Sequence, residues 1–269
     1  MPNVLKADGT IEPFSESKLL SSIKRAGIPD SLDTQVLDHI KTKLYDNIPT
    51  SEVYSHIQEY FGNSNDYSSE SKYSLKKALI ELGPTGFPFE KYVSEILKAE
   101  GYSTQVGQIL LGKCVNHEVD VIAMKGDEKL MVECKFHNKL GLRSDIHVSL
   151  YTKARFDDLK EKHGFTKAML ATNTKISLDA LAYADCEGLE VLSWGLPEGK
   201  SLRDLIEKHK LYPITQLSFL SLIQKQELLA KDIVLVSQLC KNPQVLNEIP
   251  IPKEKREEIM AQAMDVCRL

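Results

Sequence analysis

Excess charge is missing from this chain: 34 Lys and Arg against 38 Asp and Glu leave a net charge of −4 over 269 residues. No global basic field announces a nucleic-acid partner, so any such contact has to come from local patches. Long apolar runs are missing too, and no segment is expected to cross a bilayer. The opening MPNVLKADGT has no apolar core of signal-peptide type. Cysteine is sparse and unpatterned: Cys114, Cys134, Cys186, Cys240 and Cys267 form no Cys-x-x-Cys pair. That argues against a zinc cluster and reads as reduced thiols in a cytoplasmic protein. Low-complexity tracts and solenoid-length repeats are also lacking. What remains is an ordinary globular composition, long enough for two domains and a third small module.

Three stretches of different pattern follow one another. Residues 1–83 open with short extended segments at 3–7 and 10–14 around Asp8-Gly9, a dipeptide suited to hairpin turns because both positions favour positive φ. Ser15 or Ser17 can cap a helix carrying Leu19, Leu20 and Ile23, ending at Gly27. Further helices are expected over 33–45, 52–61 and 69–82, giving a hairpin plus a small helical bundle. Gly83-Pro84-Thr85-Gly86 then breaks the helical pattern and marks a boundary.

Residues 84–197 alternate between helix and strand. A helix is expected over 89–100 and strands over 102–109, 117–124 and 129–136, the last two joined by a tight turn at 125–128. A polar helix over 146–163 leads to a strand at 168–172, then a helix at 177–187 and a strand at 189–194. This alternation specifies an α/β layer with a mixed sheet. Residues 198–269 return to helical periodicity, near 202–209, 215–229, 234–241 and 253–268.

Chemistry concentrates in the second stretch. Residues two apart share a strand face, so Glu133 and Lys135 project together while Val132, Cys134 and Phe136 pack on the other side. Asp120 lies across the hairpin, within reach of Glu133. Two carboxylates and a lysine on one sheet edge are costly unless something neutralises the acids, and Mg²⁺ or Mn²⁺ does so with oxygen ligands. Such a metal polarises a phosphate and lowers the pKa of a bound water, while Lys135 positions or deprotonates that water or stabilises the developing charge. An isolated Glu-x-Lys is uninformative, because exposed strands alternate charges routinely. The ordered context around it carries the signal.

That context resembles the restriction-endonuclease-like, PD-(D/E)XK fold, and its Mrr-like branch. The resemblance runs from Gly86-Phe87-Pro88-Phe89-Glu90, through Gly101-Tyr102, to Ala171-Thr172-Asn173-Thr174 and Trp194. It implies a metal-dependent endonuclease acting on DNA, with Asp120 and Glu133 as metal ligands and Lys135 as the catalytic lysine. Many members have Gln where this chain has Glu133. Glu90 matches a first-helix acid that approaches the metal in related resolvase-like nucleases, and it weighs equally as a helix surface acid. His137 is a candidate phosphate contact, though such a His more often merely flanks a strand; Arg143, Lys153 and Arg155 are candidate DNA-backbone contacts, with a solvated helix face at least as good an alternative.

The first stretch resembles the ATP-cone, a nucleotide-sensing regulatory domain, on Val4-x-Lys6-x-Asp8-Gly9-x-x-Glu12-x-Phe14, Lys18-Leu19, Ile23 and the late Lys72-Tyr73-Ser74-Leu75-Lys76-Lys77. It implies ATP or dATP as a regulatory ligand, with Lys6 and Lys18 on the phosphates, Val4 and Phe14 lining the base pocket, and Glu12 and Thr50 nearby. The position after Lys6, usually basic in that family, is Ala7 here.

The expectation is therefore an α/β, restriction-endonuclease-like mixed-sheet domain at 84–197. A hairpin-plus-helical-bundle ATP-cone domain at 1–83 precedes it, and a helical module at 198–269, with a packing or dimerisation role, follows. Its partners are DNA and an adenine nucleotide, with no membrane, in a homo-oligomer. The alternative is a nucleotide-responsive DNA-binding regulator whose nuclease fold does not cut. A structure-specific repair enzyme or resolvase stands third.

Overall fold

The computed structural model describes residues 2–6, 9–25, 30–63, 67–139 and 141–268. The expected turn residue Asp8, the departure at Ala7 and the helix end at Gly27 lie outside the described residues.

In the first part, β1 (Asn3–Leu5) pairs antiparallel with β2 (Ile11–Pro13), Val4 opposite Glu12. The chain continues through α1 (Glu16–Arg25), α2 (Asp33–Lys43), β3 (Ile48–Pro49), α3 (Thr50–Asn63) and α4 (Tyr67–Ile80). β3 joins β1 in parallel, so the expected hairpin is a three-stranded sheet. Ile23, Val36, Ile40, Ile48 and Phe61 are fully buried beneath it. Each such side chain contributes roughly 1.5–3 kcal/mol through lost apolar exposure.

The second part opens with α5 (Phe87–Ala99), with Pro88 in its first turn where no amide is needed. β4 (Ser103–Leu111), β5 (Asn116–Lys125) and β6 (Glu128–Lys135) form an antiparallel meander. Gly126 supplies the positive φ of 57° that the turn between β5 and β6 requires. After β7 (Arg143–Ser144) and α6 (Ile146–His163), β8 (Lys167–Thr172) returns parallel to β6. β9 (Lys175–Ile176) and α7 (Leu178–Glu187) then lead to β10 (Glu190–Leu192), parallel to β8. The sheet order is β10-β8-β6-β5-β4, a mixed sheet as expected. α5 covers one face through Phe89, Tyr92, Val93 and Ile96 against Val121, Leu130 and Val132. α6 and α7 cover the other through Leu159 and Ala184 against Ile122 and Met131.

The last part comprises α8 (Leu202–His209), α9 (Leu222–Ala230), α10 (Val236–Lys241) and α11 (Lys253–Arg268). It packs on the α5 side of the sheet, in one core with that helix. Two expectations are corrected here. The helix expected over 215–229 is a 3-10 turn at Ile214–Gln216 followed by α9, because Ser221 caps α9 in a box with Gln224 while Thr215 donates instead to the Ala78 carbonyl at 2.6 Å. Cys240 and Cys267 are not reduced thiols but a disulfide joining α10 to α11, which tertiary packing brings together across 27 residues. No helix among the described residues is long and apolar enough to cross a membrane.

Candidate active site

The antiparallel register of β5 and β6 pairs Val121 with Val132. The ladder ends at that pair, and beyond it the Asp120 side chain takes the Cys134 amide, next to Glu133, with Lys135 two positions beyond on the same face as Glu133. Asp120 is fixed in the plane of the sheet, where its Oδ2 accepts the Cys134 amide at 2.6 Å. Glu90, at the amino-terminal end of α5, approaches from the other side of the sheet and interacts electrostatically with Asp120.

The acids carry the cost of this crowding. Burial, followed by repulsion from Asp120 and Glu118, pushes the Glu90 carboxyl up to about 7. Burial and the Asp120 charge push Glu133 to about 7 as well, although Arg155 and Lys135 pull it down. Asp120 is also raised, chiefly by burial. Among the described residues no three His, Cys, Asp or Glu side chains stand grouped to hold a metal ion as they are. The chemistry of the donor set nevertheless fits a hard divalent cation: hard oxygen donors, partly desolvated and mutually repelling.

The cation facing Glu133 belongs to the protein. Arg155 on α6, 9% exposed, forms an ion pair from Nη1 to Glu133 and donates from Nη2 to the Tyr151 hydroxyl at 2.8 Å. Its guanidinium also lies 4.6 Å from the centroid of that ring. Arg155, expected as an outward DNA contact, therefore points into the site, because the buried carboxylate offers it more than solvent does. Lys153 is likewise engaged, with Asp157 at 2.7 Å and Glu187 at 2.9 Å. Arg143 is exposed on β7.

His137 is half-buried just beyond β6. Its amide donates to Asn173 Oδ1 at 2.9 Å and its carbonyl accepts from Asn173 Nδ2 at 2.8 Å. Its Nε2 lies 3.0 Å from Ser144 Oγ, which in turn donates to Thr172 Oγ1. Burial, then Lys135, lower the imidazole pKa of His137. Ser144, Thr172, Asn173 and Thr174 are all buried. This satisfied polar network stiffens the edge of the sheet. Sequence reasoning gave no site role to Ser144 and Asn173, whose partner His137 lies 7 and 36 residues away, nor to Tyr151, one helical turn before Arg155.

In the first part, Lys6 and Lys18 converge on Glu12, at 2.7 Å and 2.9 Å, and the two ammonium groups hold that carboxyl below its usual range. Thr50 is exposed at the start of α3, one residue past the pairing of Leu5 with Pro49 that also precedes Lys6. Val4 and Phe14 are buried in the core of this part.

Three family models match consecutive stretches of the chain: an ATP cone domain over 2–78, a restriction endonuclease over 84–205, and an AF1548-like C-terminal domain over 212–267. An uncharacterized protein of Archaeoglobus fulgidus is 35% identical over 179 residues, which is 65% of this chain and 99% of that protein. The crystal structure of the protein of unknown function AF1548 is similar at 34% identity and a TM-score of 0.60, covering 68% of this chain and 98% of that one. A repair endonuclease from Pyrococcus abyssi matches at 22% identity and a TM-score of 0.30, over 37% of this chain and 41% of that one.

Proposed function

Because the chain belongs to the AF1548-like family and joins an ATP cone domain to a restriction endonuclease domain, we propose that it is a metal-dependent endonuclease hydrolysing DNA phosphodiester bonds under control of ATP or dATP. The observation that carries this reading is that Glu133 is electrostatically coupled to Asp120, Glu90 and Lys135, all inside the endonuclease match. The division into units at 1–83, 84–197 and 198–269, and a cytoplasmic homo-oligomeric protein, are part of the same proposal.

Asp120, Glu133 and Glu90 would hold Mg²⁺ or Mn²⁺, which when bound polarises the scissile phosphate and acidifies a water. The protein's own groups do the rest. The Cys134 amide holds Asp120 in one orientation. Lys135 sets its ammonium beside Glu133, where it positions the attacking water or meets the charge developing on phosphorus. Glu90, raised to about 7 by burial and its acidic neighbours, is an acid whose charge a bound cation would relieve. Arg143 offers a charge to the DNA backbone. In the ATP cone, phosphates would replace the Glu12 carboxylate between Lys6 and Lys18, and nucleotide would bias the nuclease by its differential affinity for two states.

The Arg155–Glu133 pair favours a second reading, a nucleotide-responsive DNA-binding protein that does not cut, since an internal cation already serves the acid. Incubating plasmid and branched DNA with the full chain in Mg²⁺, Mn²⁺ or EDTA, with and without ATP or dATP, separates the two. Cleavage that needs metal supports the nuclease. DNA binding with no cleavage under any of these conditions establishes the second reading instead.

A further inference from the structure

Beyond the carboxylates, the same sheet edge carries a cavity of about 520 Å³, lined by Lys175, Ser193, Trp194, Leu196 and Arg203 among others. Its position follows from strand register. β6, β8 and β10 run parallel, with Lys135 paired to Thr172 and Ala171 paired to Leu192. One residue on, β10 ends and Ser193 bridges Leu196, so Lys135, Thr172 and Ser193 lie at the ends of three neighbouring strands. At about 4.8 Å per strand the cavity begins roughly 10 Å from the lysine. Carboxyl ends of parallel strands are where open α/β sheets receive ligands.

The wall is held by main-chain bonds: the Trp194 amide donates to the Thr174 carbonyl at 3.0 Å, and the Leu202 amide to the Ser193 carbonyl at 2.9 Å. Lys76 lies 5.7 Å from the Trp194 ring centroid. Between cavity and catalytic edge, Lys175 on β9 is paired with Arg143 on β7, and both are exposed. Of the two acids in the lining, Asp204 is committed to Ser201 and Arg203, and Glu198 is exposed. The result is a half-buried indole in a roomy cavity, with cations along the path to Lys135.

We propose that this cavity takes an unpaired nucleotide of the DNA substrate, its base against Trp194 and its flanking phosphates on Lys175 and Arg143. The inference rests on the nuclease reading and adds its substrate class: DNA with a single-stranded or extruded nucleotide one or two positions from the scissile bond. A base in a duplex presents no free face to an indole, whereas stacking on an aromatic side chain is the sequence-tolerant way to hold an unpaired one.

The chain has a single tryptophan, so its emission reports this cavity alone. The full chain in EDTA is titrated with a 12-nucleotide oligo-dT and with the matching dA–dT duplex, while end-label anisotropy follows binding independently. The expected result is saturable quenching by the single strand, little change with duplex, and a tenfold or greater loss of single-strand affinity in Lys175→Ala and in Trp194→Ala. Lys175 is exposed, so its variant tests the site even where Trp194→Ala fails to fold. Anisotropy showing tight binding while the emission stays unchanged, or quenching equal for both DNAs, overturns the cavity and leaves the nuclease reading standing. No binding of either DNA overturns the cavity, and cleavage in Mg²⁺ or Mn²⁺ decides the nuclease reading separately.

Discussion

Replacing Arg155 with glutamine tests how the site tolerates its own acids. In the intact protein Glu133 titrates at about 7 against an ordinary 4.5, because burial and Asp120 outweigh the help of Arg155 and Lys135. A carboxyl raised by folding is stabilised by its proton. That contribution is fully present below about 4.5 and is lost as pH rises through about 7. The span corresponds to about 3 kcal/mol of folding free energy. Removing the guanidinium moves the upper limit of this window further up, so the penalty of the substitution grows with pH. Near pH 5 Glu133 is protonated in both folded proteins, and the variant loses about 1 kcal/mol, the worth of the bond to Tyr151. Near pH 9 a buried carboxylate is left without its partner, and the loss rises to about 3–5 kcal/mol. Urea unfolding in EDTA at the two pH values reads both numbers. An equal loss at both, or a larger one at pH 5, would refute the assignment of Arg155 as the counter-ion of Glu133.

Glu90→Gln removes a charge whose carboxyl is raised to about 7, so it is expected to raise the melting temperature of the metal-free protein at pH 8.5 and leave it unchanged at pH 5. Thermal unfolding at the two pH values checks this, and the reverse order contradicts it. Lys18→Ala should weaken ATP binding by about tenfold, while Lys18→Arg keeps most of it, since the role of Lys18 is to present a cation beside Lys6; calorimetric titration of the full chain decides. Gly112→Ala sets a Cβ 2.0 Å from an oxygen of Asp158, the carboxylate that accepts the Cys114 amide and pairs with His117. It should cost about 1–3 kcal/mol in urea unfolding, whereas Val115→Ala, at an exposed position of the same turn, should cost little.

The parts of the fold that could be read in the sequence are those with local causes. The β5–β6 hairpin announces itself through period-two alternation and a glycine at its turn, and α6 through an Asp145 cap at one end and Gly164 in the left-handed conformation at the other. The restriction-endonuclease-like mixed sheet and the ATP cone ahead of it were legible as resemblances for the same reason: their motifs lie on consecutive residues. The helix expected over 215–229 misread its first half, where a buried turn at Ile214–Gln216 precedes a helix that starts only at the Ser221 cap. The Cys240–Cys267 disulfide and the inward turn of Arg155 depend on partners 27 and 22 residues away, which no spacing rule encodes. The cavity at Trp194 depends on strand order, which becomes visible only once β10 lies beside β8.

The most direct test of the central claim compares wild type with Lys135→Ala for both DNA cleavage in Mg²⁺ and DNA affinity in EDTA. Lys135 is exposed at the end of β6, so the fold should survive its loss. The cleavage rate is expected to fall by about 10²–10⁴-fold while affinity stays within a few-fold. A variant that cuts as fast as wild type would contradict the assignment of Lys135, and a wild type that binds DNA yet never cuts would contradict the nuclease itself.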